Sequence, residues 1–82
     1  MAEIDRALME HAAAAPSAML DVVVTLEQML DNDELAAAGL TVAHRIERLR
    51  TVSGSIKAAG LDRLVMLPGV VRIEADTPMR AL

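Results

Sequence analysis

The chain has 82 residues, which allows one domain at most and leaves a small core. Domains of this size bury only about 60% of the surface their unfolded chains expose. Hydrophobic residues make up 54% of the sequence, yet it holds no Phe, Tyr or Trp, so the core must be built from Val, Leu, Ile, Met and Ala. With no Cys, neither a disulfide framework nor a thiolate metal site is available. The net charge of −4 and the lack of a basic run or of aromatics for base stacking argue against nucleic-acid binding. Nor does any apolar stretch reach the length of a membrane span.

Residues 1–15 read as a short helix, with Ile4, Leu8, His11 and Ala15 at helical spacing and Pro16 as the stop. Glu3, Asp5 and Glu10 lie where a signal peptide would need a basic start and an apolar run, so a cytoplasmic protein is the default expectation. Residues 19–26 (MLDVVVTL) are a strand, with Leu20, Val22, Val24 and Leu26 on one face. Val23 on the opposite face points to a central strand covered on both sides.

A helix follows, placed at residues 32–38 by the capping-box spacing of Asp31 and Glu34 and by Gly39 at its end. Thr25 and Gln28 form a second candidate cap, which leaves an earlier start at Leu26 open. Residues 41–48 and 51–57 read as two antiparallel strands joined around Arg48–Arg50. Val42, His44 and Ile46 share a face there, and Leu49 falls out of phase, which calls for a bulge or a turn.

Residues 59–67 return to a helical pattern that Pro68-Gly69 breaks. Residues 70–75 make the last strand, with Val71, Ile73 and Ala75 inward and Arg72, Glu74 and Asp76 outward. An extended tail, Thr77–Leu82, ends the sequence. From residue 19 the order is βαββαβ. The expected fold is therefore α+β: a ferredoxin-like antiparallel sheet with two helices on one face, plus a short N-terminal helix. Its parts are an extension (1–18), the domain (19–76) and the tail (77–82).

The stretch from Val52 to Asp76 resembles the second half of subtilisin propeptides and their stand-alone inhibitor relatives. The resemblance rests on Ser53-Gly54, on Leu61, Leu64 and Leu67, on Pro68-Gly69-Val70, and on the acidic pair Glu74 and Asp76. It implies a non-enzymatic partner of a subtilisin-like serine protease, acting as an inhibitor or as a chaperone for its folding. In that family the tail lies in the substrate cleft, so Leu82 would be P1, Ala81 P2, Arg80 P3 and Met79 P4, with Thr77 and Pro78 leading into them. Glu74 and Asp76 would cap helix N-termini on the protease surface, where unpaired N–H groups and the helix dipole favour a carboxylate. An extended segment of this kind adds as a strand to a cleft, main-chain hydrogen bonds giving affinity and alternate side chains specificity. No catalytic domain follows, so the expectation is an inhibitor acting in trans.

The remaining polar residues carry less. His11 and His44 read as surface residues, and two His without convergent carboxylates do not make a metal site. Ser53 and Ser55 lack the strand–elbow–helix setting of a nucleophile. Arg45, Arg48 and Arg50 read as a solvated strand edge. No cofactor is expected. The alternative to protease binding is an adaptor module that forms a homodimer through its sheet or its N-terminal helix. A small-molecule regulatory domain ranks last, for want of a Gly-rich ligand loop.

Overall fold

The computed structural model describes residues 2–76. Its elements in chain order are β1 (Glu3–Ile4), α1 (Arg6–Ala14), β2 (Met19–Leu26), α2 (Asn32–Ala37), β3 (Thr41–Ile46), β4 (Thr51–Lys57), α3 (Leu61–Met66) and β5 (Val70–Ala75). Short 3-10 turns, Glu47–Leu49 and Ala58–Gly60, precede β4 and α3. The five strands form one mixed sheet in the order β1-β5-β2-β4-β3. β2 is antiparallel to β4 and β5, β3 is antiparallel to β4, and β1 runs parallel to β5. Consequently α2 joins two parallel strands with β4 between them, and α3 joins two parallel strands with β2 between them.

Local chemistry sets the helix ends. The Asp5 carboxylate accepts the Leu8 N–H (3.1 Å) and starts α1. Pro16 pushes Ala15 out of the helical region and ends it. The capping box before α2 is complete: Glu34 N–H donates to the Asp31 carboxylate (2.8 Å) and Asp31 N–H to the Glu34 carboxylate (3.2 Å). At the other end Gly39, at φ +100°, lets Gly39 N–H reach the Ala36 carbonyl and Leu40 N–H the Leu35 carbonyl. The start at Asn32 resolves the two candidate caps in favour of Asp31.

Burial divides the sheet by face. Leu20, Val22, Val24, Leu26, Val52, Ile56 and Ile73 point into a single core with Leu8 of α1, Leu35 of α2, and Leu61 and Leu64 of α3. Burying each such side chain contributes about 1.5–3 kcal/mol. Among the described residues no helix lies over the opposite face. Met19, Asp21 and Glu74 are exposed there, and Val23, Thr25, Ser53 and Ser55 are half-buried. Val23 thus marks a central strand, but not one that the described residues cover on both sides.

Several expectations from the sequence need correction. The N-terminal segment is not one helix over residues 1–15: it forms β1 first, and α1 starts at Arg6. Ala2 and Leu8 belong to the core, so this segment packs as part of the domain. The sheet is mixed, with five strands, because of β1. In β3 the register shifts between Val42 and His44. As a result Val42 and Arg45 share the helix side, while His44 and Ile46 face the open side. In β5 a shift opposite Thr25 and Leu26 leaves Val71 exposed, and Ala75 is exposed as well, so of the three residues expected inward only Ile73 is buried.

Candidate functional site

β5 leads to the tail, and the structure ties it down on both sides. Val22 to Leu26 of β2 pair with it on one side. On the other, Glu3 and Ile4 of β1 lie opposite Arg72 and Ile73, and Asp5 N–H donates to the Ile73 carbonyl (3.1 Å). Past the end of the strand, Asp76 N–H donates to the Asp21 carbonyl (2.9 Å). The backbone is therefore held as far as Asp76. Residues Thr77, Pro78, Met79, Arg80, Ala81 and Leu82 lie outside the described residues.

Glu74 sits on the open face of the sheet, in one row with Val23, Ser53 and His44. Asp76 follows two residues on, and both side chains are exposed. Arg72, the nearest cation along the strand, is engaged by Glu3 instead (Nε to Oε1, 3.2 Å). Among the described residues neither Glu74 nor Asp76 forms an ion pair or side-chain hydrogen bond. Two carboxylates on a held backbone, with no partner of their own there, are available to N–H donors on another surface.

The other candidates fall elsewhere. His44 is exposed opposite Ser53, and His11 is exposed on α1. Ser53 and Ser55 lie within β4, a regular strand, with no elbow between them and a helix. Among the described residues no three His, Asp or Glu side chains gather as metal ligands, and no helix is long and apolar enough to cross a membrane. Arg45 departs from the solvated-edge expectation. The bulge turns it to the helix side, where Nη1 donates to the Leu30 carbonyl (2.9 Å) and to Asn32 Oδ1 (2.7 Å), and Glu47 takes Nε and Nη2. It fastens the segment before α2 onto β3. Arg48 and Arg50 stay exposed.

Gly54 gives the Ser-Gly pair of the sequence a physical reason. A Cβ there would collide with the Thr41 carbonyl oxygen of the neighbouring β3, ahead of its bulge. Two clefts flank α1 and were not legible beforehand. One, of about 460 Å³, lies between α1 and α3 and includes Met9, Ala12, Leu61 and Val65. The other, of about 450 Å³, includes Leu8, His11, Met19 and Asp76. Both form only when residues far apart in the chain meet, which no local pattern signals.

Comparison of the chain with family models, with curated proteins and with solved structures gives no match.

Proposed function

We propose that residues 19–76 are a ferredoxin-like domain and that the chain is a stand-alone inhibitor, or intermolecular chaperone, of a subtilisin-like serine protease. The fold reading is supported by the two helix crossovers, each skipping one antiparallel strand, which is the split βαβ pattern. β1 and α1 are additions to that pattern.

The observation that carries the functional reading is the end of β5. The exposed Glu74 and Asp76 carboxylates stand without partners among the described residues, on a backbone held from both sides to Ile73 and by β2 as far as Asp76. In this reading the carboxylates cap helix N-termini of the protease. The tail enters the substrate cleft as a product-like strand, with Leu82 at P1 and Met79 at P4. Anchoring its base lowers the entropy lost when the tail is ordered on binding.

The test is direct. The purified chain slows peptide cleavage by subtilisin-like proteases, and a variant lacking residues 77–82 does not, while its far-UV circular dichroism is unchanged. Full activity of every protease in a broad panel, with the intact chain in excess, overturns the reading.

A further inference from the structure

The two edges of the sheet are closed by different means. β3 carries a bulge at Ala43, and its Arg45 is tied back to Leu30 and Asn32. Bulges and charges of this kind keep an edge from pairing with other chains. β5 is shifted too, at Val71, but from Arg72 to Ala75 it runs in regular register with β2. The β5 edge is covered by β1, which pairs through two residues.

The direction of the β5 backbone groups follows from the hydrogen bonds. Asp76 N–H points to β2, so by strand alternation the amides of Arg72 and Glu74 do too. Ile73 and Ala75 therefore present their N–H and C=O groups to the outer edge, where Asp5 N–H meets the Ile73 carbonyl. β1 ends before Ala75.

The segment Arg72–Glu74 also complements itself. If β5 of a second copy ran antiparallel along this edge with Ile73 opposite Ile73, Arg72 would face Glu74 of the copy in both directions. Opposite charges directly across an antiparallel pair are favourable. A contact centred this way is two-fold symmetric and closes on itself.

We infer that the outer edge of β5 is a self-association site for a second copy of this chain, and that β1 is the guard that keeps it shut. The inference goes beyond protease binding and stands on different observations. Its weak point in the molecule is the Glu3–Arg72 and Ile4–Ile73 pairing, two residues long and largely solvent-facing at Glu3.

Sedimentation of the full-length chain tests it. The doublet Glu3→Lys with Ile4→Asp places like charges opposite Arg72 and a carboxylate beside Ile73, which detaches β1. Its mass is expected to rise to that of a dimer over a concentration range in which the wild-type mass stays constant. Adding Ala75→Pro, which removes an edge-facing N–H at an exposed position, is expected to return the doublet to the wild-type mass. Should the doublet lose its secondary structure by circular dichroism, Glu3→Lys alone is read in the same way, since it alters only an exposed side chain. A folded variant that keeps the wild-type mass at every concentration overturns the inference. So does a dimer that Ala75→Pro leaves intact.

Discussion

The same strands present two unlike faces. On the helix side Val22, Val24, Val52, Ile56 and Ile73 are fully buried, against Leu35, Leu61 and Leu64. On the open side the corresponding rows run His44–Ser53–Val23–Glu74 and Ile46–Thr51–Thr25–Arg72. The covered face is aliphatic and closely packed. The open face carries hydroxyls and charges around half-buried Val23. The difference teaches that the burial that stabilises the sheet is concentrated on one side, while the other side meets solvent.

Three substitutions press on that contrast. The largest effect is expected at the covered face: Leu64→Ala removes a fully buried side chain and should cost about 3 kcal/mol in urea unfolding. Whole domains of this length hold roughly 4–12 kcal/mol, so the variant should keep only about 1–9 kcal/mol and unfold at a clearly lower urea concentration. A loss below about 1 kcal/mol would break the picture of a single closely packed core. Next comes Gly54→Ala. Its new methyl must push the Thr41 carbonyl away, for a cost of about 2 kcal/mol read as a lower midpoint of thermal unfolding. An unchanged midpoint would mean that β3 does not press on β4 at Gly54. The smallest effect belongs to the open face, where Ser53→Ala should change stability by no more than about 0.5 kcal/mol. A larger loss would show that this face also holds the fold together.

Much of the fold was legible from local pattern. The bounds of β2, β4 and β5 follow from β-branched runs and breakers, and the start of α2 follows from Asp31 and Glu34. The phases of β3 and β5 were not legible. One extra residue near Ala43 moves Arg45 to the helix side, and a shift near Val71 turns that residue outward. A bulge is a relation between two strands, and a single strand's alternation does not contain it. Of the candidate site, Glu74 and Asp76 were identified from the sequence and are exposed as expected, whereas the role of Glu3 in engaging Arg72 was not seen. These two residues are 69 positions apart, and only the folded sheet brings them together.

By itself, then, the sequence determined which segments are strands and helices, where most of them stop, and that the core is aliphatic. Periodicity, capping and turn residues act within a few positions, and they can be read one segment at a time. Tertiary structure alone decided the place of residues 2–5. Nothing in Ala2-Glu3-Ile4-Asp5 demands a strand, and a two-residue pairing has too little local preference to announce itself. It exists because the β5 edge offers unpaired backbone groups and because Leu8, once buried, carries the preceding residues to that edge.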